Sequence, residues 1–317
     1  MKIAIPDWST MSAVNMGFSA FEEFGEVKCC GLTAPEQAAD AIGDAEVVLV
    51  NKTPITAQVM DACPNLKYIG LFATGYNNID IPAATAHGIT VCNAGQYSTQ
   101  GVIQHTFALL LSLAGNLPRY EKAVSDGEWE RSETFSYFPY PTRELSGKTI
   151  AIIGFGSIGQ GVAKVADAFG MRVIVNTRTK PQNCPYEVVS QEEAFRQADV
   201  LTVHCPLTEQ TANLLREETL SLMKPGAFVI NTARGGIADE QAVANALHEG
   251  RLGGYGTDVL VKEPMSPDTP LKNAPNCIIT PHIAWAADET RERLVGIVAD
   301  NLRNWLEGHP TNQVNAK

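Results

Sequence analysis

Residues 149–176 read TIAIIGFGSIGQGVAKVADAFGMRVIVN. An apolar run, a glycine-rich turn, a helical pattern and a second apolar run follow one another, which predicts strand, turn, helix and strand. Gly154, Gly156 and Gly159 place G-x-G-x-x-G at the junction of the first strand and the helix. The first glycine permits a tight turn, the second lets the backbone approach a pyrophosphate, and the third lets helix and strand pack closely. The N–H groups that open the helix then hold phosphate oxygens. Alone the pattern is weak, because glycines also mark ordinary turns. Between TIAII and VIVN it spells dinucleotide binding. About half the chain precedes this turn, and that half needs a purpose.

A chain of 317 residues is long enough for two domains, each with its own core. With 44% hydrophobic and 19% charged residues it has the composition of an ordinary globular protein. A formal net charge of −11 disfavours nucleic acid and anionic membranes as partners. An anionic substrate would therefore need local, deliberately placed cations. MKIAIPDWS reads as a first strand without the long apolar core of a signal peptide, and FALLLSLAG is too short to span a bilayer. The seven cysteines are scattered, odd in number and without C-x-x-C, which reads as buried thiols in a reducing cytoplasm. No histidine or cysteine spacing suggests a metal.

Short apolar runs alternate with helical patterns from end to end, as in α/β folds with parallel sheets. The first half offers KIAIP, EVVLVN (46–51), LKYIGLF (66–72) and ITVCN (89–93) as strands, with helices at TAQVMDAC and DIPAATAHG. Residues 98–118 predict one long helix that Pro118 ends. Five aromatics and two prolines crowd residues 129–141, either a structured surface loop or an arm over the site or a partner subunit. From Lys148 onward six strands are predicted: TIAIIG, RVIVNT, VLTVHCP, AFVINTA, GYGTDV and CIITPH. The closing helix ADETRERLVGIVADNLRNWLEG offers a Glu289–Arg293 pair at i,i+4. The dinucleotide domain, 99–286, is thus inserted into a second domain made of 1–98 and 287–317.

Three charged side chains stand at predicted strand ends in the second half, where open α/β sheets place ligands: Arg234, Glu263 and His282. Singly, each has a plain reading. Arginine before Gly-Gly caps a turn, glutamate before proline is solvated, and a lone histidine is a core hydrogen-bonder. Beside a dinucleotide turn they supply what carbonyl reduction needs. Histidine titrates near neutrality and serves as proton donor. A carboxylate on its other ring nitrogen fixes the tautomer, and a guanidinium holds a substrate carboxylate in bidentate fashion.

The sequence resembles the D-isomer-specific 2-hydroxyacid dehydrogenases. The likeness rests on GFGSIG (154–159), HCPLTEQTANL (204–214), MKPGAFVINTARGGIADEQAV (223–243), GTDVLVKEP (256–264) and PHIAW (281–285), with NKTPIT (51–56) and ATGYNNID (73–80) earlier. Within the family it is most similar to glycerate dehydrogenases, also called hydroxypyruvate reductases. The resemblance implies an α/β protein of two doubly wound parallel-sheet domains, a Rossmann dinucleotide-binding domain inserted into a flavodoxin-like substrate domain. It also implies a split substrate domain and a homodimer built largely on the cofactor domain. It assigns Arg234 to substrate, His282 to acid–base catalysis and Glu263 to its partner. The backbone at Thr74 and Gly75 would hold the substrate carboxylate, with Lys52 nearby. Gly154, Gly156, Ser157, Ile158, Gly159, Thr177, Arg178, Pro206, Thr232, Ala233, Arg234, Asp258, His282 and Ala284 would line the cofactor. No metal is implied.

One departure bears on the cofactor. An acid normally ends the second strand and binds the adenosine ribose diol, yet VIVN runs into Thr177-Arg178-Thr179-Lys180. That favours NADP modestly over NAD. The expected activity is reduction of a small 2-oxo acid, hydroxypyruvate or glyoxylate. Two rivals share the site residues: a dinucleotide-sensing corepressor-like binding protein and a phosphite dehydrogenase. Glu263, where formate dehydrogenases resemble glutamine, argues against formate.

Overall fold

The computed structural model describes residues 1–12, 16–179 and 181–316. The chain divides into two compact units, Met1–Tyr97 with Ala287–Lys317, and Ser98–Ala286.

The first unit is built on β1 (Lys2–Ile5), β2 (Glu26–Cys29), β3 (Val47–Val50), β4 (Tyr68–Leu71) and β5 (Thr90–Cys92). All pairings are parallel, in the order β2-β1-β3-β4-β5. Every residue of β3 and β4 is buried, as a sheet covered on both faces requires. Helices α1 (Ala38–Ile42), α2 (Ala57–Ala62) and α3 (Ile81–Ala86) lie in the connections. Thr56 caps α2 by accepting from Val59 N, and Asp80 caps α3 by accepting from Ala83 N. β2 has no counterpart among the strands read from sequence. Its residues are alternately exposed and half-buried, so this edge strand carries little apolar signal.

The tail closes the opposite edge. Gln313 bridges Cys92 in antiparallel fashion, Val314 N donates to Val91 O (2.9 Å), and the Asn315 side chain engages Val91 N and Ile89 O.

The second unit holds β6 (Thr149–Ile153), β7 (Arg172–Asn176), β8 (Glu187–Val188), β9 (Val200–Val203), β10 (Ala227–Asn231), β11 (Leu252–Thr257) and β12 (Cys277–Ile279). Their order, β12-β11-β10-β9-β6-β7-β8, is again wholly parallel. Chain direction across the sheet reverses between β6 and β9, where such sheets bind ligands. Two-residue β8 adds a seventh strand to the six expected, and is too short to show a pattern. Along β6, Ile150 and Ile152 face one core with Phe107, Leu110 and Val162, while Ala151 and Ile153 face the other with Phe195 and Val243. The helices here are α4 (Thr99–Gly115), α5 (Leu117–Ser125), α6 (Ser157–Ala168), α7 (Gln191–Gln197), α8 (Glu217–Leu220) and α9 (Glu240–His248).

Several expectations need correction. Residues 98–118 do not form one helix ended by Pro118. Asn116, with φ +50°, breaks α4, and Pro118 sits in the first turn of α5, where its missing N–H costs nothing. Helix α10 (Asp288–Leu306) belongs to the first unit, and there Arg291 pairs with Asp288 while Arg293 donates to Tyr97 O (2.9 Å). The expected Glu289–Arg293 pair gives way to these. Only Cys63 and Cys92 are buried; the other five cysteines are partly exposed. Residues 129–141 form a structured loop stapled by its own aromatics. Trp129 Nε1 donates to Phe135 O, Tyr137 OH to Glu128 and Tyr120 OH to Tyr140 O, while Arg119 stacks on the Tyr140 ring. No helix of the described residues is long and apolar enough to cross a membrane.

Candidate active site

The turn after β6 is made by contacts that exclude side chains. Gly154 has φ +93°, donates to Asn176 O (2.8 Å), and would bring an added Cβ to 2.7 Å from His204 O and Cys205 N. A Cβ on Gly159 would overlap Gly154 O. Gly156 differs, because nothing lies within 4 Å of the place its Cβ would take. It caps twelve-residue α6 in an extended conformation, and both it and Ser157 are exposed. An exposed helix N-terminus with open space at the second glycine fits a dinucleotide pyrophosphate. Ile158 is half-buried. Beneath the turn, burial pushes the His204 imidazole down to about 3, so it is neutral, with Nε2 2.8 Å from Thr202 Oγ1.

Thr177 and Arg178 follow β7. Thr177 Oγ1 reaches Thr179 O at 3.4 Å and Arg178 is exposed. Residues 176–179 contain no acid; Lys180 lies outside the described residues. Exposed Pro206 accepts from Thr211 Oγ1 (2.7 Å), and buried Thr232 places Oγ1 3.1 Å from Thr106 Oγ1.

The carboxyl ends of β10, β11 and β12 carry Arg234, Glu263 and His282. Asn231, fully buried, brackets the arginine loop by accepting from Ala233 N (3.1 Å) and donating to Arg234 O (3.0 Å). The exposed Arg234 donates through Nη1 to Ala233 O (2.7 Å). Next to it, a Cβ on Gly235 would overlap the Leu260 backbone. That close approach presses the arginine loop onto the segment leading to Glu263. The Glu263 carboxylate accepts from Leu260 N (2.9 Å) through Oε1, and its Oε2 lies 2.6 Å from His282 Nδ1. A carboxylate only accepts, so Nδ1 carries the hydrogen and Nε2 is left for a reactant. The pair is about one-third exposed, open to a small molecule.

His282 itself sits at φ +57°, a left-handed conformation that costs a non-glycine residue about 1 kcal/mol and concentrates at functional sites. The next two amides are held by buried Asp258, which accepts from Ile283 N (2.9 Å) and Ala284 N (2.7 Å).

In the first unit, exposed Lys52 and Thr74 and half-buried Gly75 lie on the loops after β3 and β4. Sequence reading missed what orders them. Asp7, 1% exposed, accepts from the backbone N–H groups of Asn51, Lys52 and Thr53 (2.6–3.0 Å). Asn93 Nδ2 donates to Thr74 O (2.7 Å), while Thr74 Oγ1 bonds Gly95 O. The one available signal was an acid directly after a first strand, and by itself it points nowhere.

A glycine-turn dinucleotide cradle with a histidine–carboxylate pair and an arginine at neighbouring strand ends defines an oxidoreductase of the nicotinamide class. Comparison with known proteins places it further. Residues 107–284 match the model of the D-isomer specific 2-hydroxyacid dehydrogenase, NAD binding domain. The chain is 38% identical to a hydroxypyruvate reductase of Blautia hydrogenotrophica, over 99% of this chain and 100% of that one. It is 37% identical to a glycerate dehydrogenase of Methylorubrum extorquens, over 99% of each. Among solved structures, an NADPH-dependent glyoxylate/hydroxypyruvate reductase from Sinorhizobium meliloti superimposes with a TM-score of 0.85 at 28% identity, covering 99% of this chain and 97% of that one. The chain belongs to the D-isomer-specific 2-hydroxyacid dehydrogenase family.

The glycine geometry separates binding from folding. Gly156→Ala should leave the melting temperature unchanged and weaken dinucleotide binding, because its Cβ takes empty space that a phosphate would need. Gly159→Ala should lower the melting temperature outright, because its Cβ meets the Gly154 carbonyl. Calorimetry and dinucleotide titration of both variants check this; equal melting temperatures for the two would contradict it.

Proposed function

We propose that this enzyme reduces a small 2-oxo acid, hydroxypyruvate or glyoxylate, to the corresponding 2-hydroxy acid. The observation that carries the reading is the 2.6 Å contact of His282 Nδ1 with Glu263, which leaves Nε2 available beside an arginine loop. A bound nicotinamide dinucleotide supplies the hydride that the carbonyl carbon receives. His282 gives its Nε2 proton to the carbonyl oxygen, and the ring ends neutral. Glu263 keeps Nδ1 protonated throughout and so holds the ring in one tautomer. Arg234 pairs with the substrate carboxylate and polarises the adjacent carbonyl. The amides of Thr74 and Gly75, with Lys52, share in holding that carboxylate, a role supported by the order that Asp7 and Asn93 impose on their loops. The unit Ser98–Ala286 is accordingly the dinucleotide domain and the other the substrate domain.

For the cofactor site we assign Gly154, Gly156, Ser157, Ile158 and Gly159 to the pyrophosphate, Thr177 and Arg178 to the adenosine ribose, and Pro206, Thr232, Ala233, Asp258 and Ala284 to the remainder. NADPH is accepted and modestly preferred to NADH. The support is the acid-free end of β7 with exposed Arg178, together with the NADPH-dependent relative. We also propose a homodimer formed through the second unit, whose exposed Leu117, Val124, Trp129, Phe135 and Phe138 are apolar.

His282→Ala should lower kcat for hydroxypyruvate reduction by about 10²–10⁴-fold with dinucleotide affinity retained. Arg234→Lys keeps the charge but loses the planar fork, and kcat/KM should drop roughly ten- to a hundredfold. Near-normal turnover in the first variant removes His282 from the mechanism; in the second it makes Arg234 structural. An oxo-acid panel with a phosphite control, followed at 340 nm, reads substrate class directly.

Thr177→Asp with Arg178→Ala restores a diol acceptor and removes a cation, and should reverse the cofactor preference. The ratio of kcat/KM for NADPH and NADH at fixed hydroxypyruvate decides it. A wild-type ratio strongly favouring NADH means other residues read the ribose.

Sedimentation should give twice the chain mass, and Leu117→Asp with Val124→Asp should give monomers. A monomeric wild type at micromolar concentration overturns the dimer.

A further inference from the structure

The Asp258 carboxylate spends almost all of its accepting capacity inside the protein. It is 1% exposed and collects three hydrogen bonds: Thr280 Oγ1 at 2.6 Å, Ile283 N at 2.9 Å and Ala284 N at 2.7 Å. Beside it stands His105 of α4, with Nε2 2.8 Å from Thr280 Oγ1 and 3.5 Å from Asp258 Oδ1. The direction of these bonds follows by elimination. The carboxylate only accepts, and at 2.6 Å it takes the single Thr280 hydrogen ahead of Thr257 O at 3.5 Å. The Thr280 oxygen then accepts, and His105 Nε2 must carry a hydrogen. Donors therefore converge on Asp258: His105 gives to Thr280, Thr280 gives to the carboxylate, and the two amides that follow His282 give to it as well.

Those amides matter because His282 is held at φ +57°. A β-type or right-handed backbone would re-aim the ring and part it from Glu263. The contacts local to His282 are its N–H to Thr280 O (3.0 Å) and the Glu263 bond; the Asp258 carboxylate fixes the segment from its other side. The anchor of these bonds is a helix that packs on β10 and β11, so the geometry is referred to the rigid sheet rather than to neighbouring loops.

We propose that His105 and Thr280 are positioning residues that hold His282 in its reactive orientation through Asp258. The inference rests on the assignment of His282 as the proton donor. Neither residue meets the substrate, and both act on the rate of the chemical step through aim.

Thr280→Val matches the shape of threonine and deletes the hydroxyl, whereas Thr280→Ser keeps it. For Thr280→Val we expect kcat to fall roughly ten- to a hundredfold, with dinucleotide Kd near wild type and a modest drop in melting temperature as the buried carboxylate loses one donor. Thr280→Ser should recover most of the rate. His105→Leu should reproduce the loss, and His105→Gln, which retains an N–H donor, should recover part of it. His282→Ala is measured in parallel. If that variant is inactive while Thr280→Val turns over like wild type, the positioning role is wrong and the proton donor stands. If Thr280→Ser loses as much rate as Thr280→Val, the hydroxyl is not the link and the proposal fails. If His282→Ala remains active, the underlying assignment fails instead.

Discussion

The dinucleotide unit turns on a contact that contains no side chain. Strand β6, strand β9 and helix α6 converge where Gly154 lies against the backbone of His204 and Cys205, and Gly159 lies against Gly154 O. One extra carbon at either place drives backbone into backbone. Because both partners of each contact are main chain, no rotamer change relieves the clash. This convergence sets the height at which α6 begins above the sheet, and hence where its first amides point. Burial of the imidazole of His204 beside this contact lowers its pKa and keeps it uncharged. The same device recurs one layer away, where Gly235 meets the Leu260 backbone and sets the arginine loop against the Glu263 segment. The start of α6 and the spacing of the arginine loop from the Glu263 segment both follow from glycines that allow backbones to touch.

What the sequence disclosed, it disclosed through period and local chemistry. Strands buried on every residue, such as β3, β6 and β10, appear as unbroken apolar runs, and the glycine turn is a contiguous motif. Both were legible, and so was the fold class. Edge strand β2 was missed because half its residues face solvent, leaving no run to detect. Pro118 was misplaced because one proline is compatible with ending a helix and with beginning one. The left-handed Asn116 before it decided the matter, and backbone conformation of that kind is not written in residue identity alone.

The candidate site divides in the same way. Arg234, Glu263 and His282 were identifiable because each is an ionisable residue at the end of an apolar run. The groups that hold them were not, since their partners are remote. His105 and Thr280 are 175 residues apart, and Asp7 and Lys52 are 45 apart. Asn231 and Asn93 look like ordinary strand-end residues until their bonds to Arg234 O and Thr74 O are drawn. Sequence reading thus recovers the groups that face a reactant sooner than those that face the protein.

The tail bears on how the protein is handled as well as on how it folds. Residues Gln313–Asn315 occupy the outer side of β5, where a five-stranded parallel sheet would otherwise present a row of free donors and acceptors to any passing strand. The chain therefore supplies its own shield, three residues of which the middle one, Val314, also packs against the core. Trimming them, or displacing them with a fused peptide, removes a single partly buried side chain from the hydrophobic cluster of that unit while opening a template for strand addition. The injury would surface as slow self-association of an otherwise native enzyme, a failure that activity assays on fresh material would overlook.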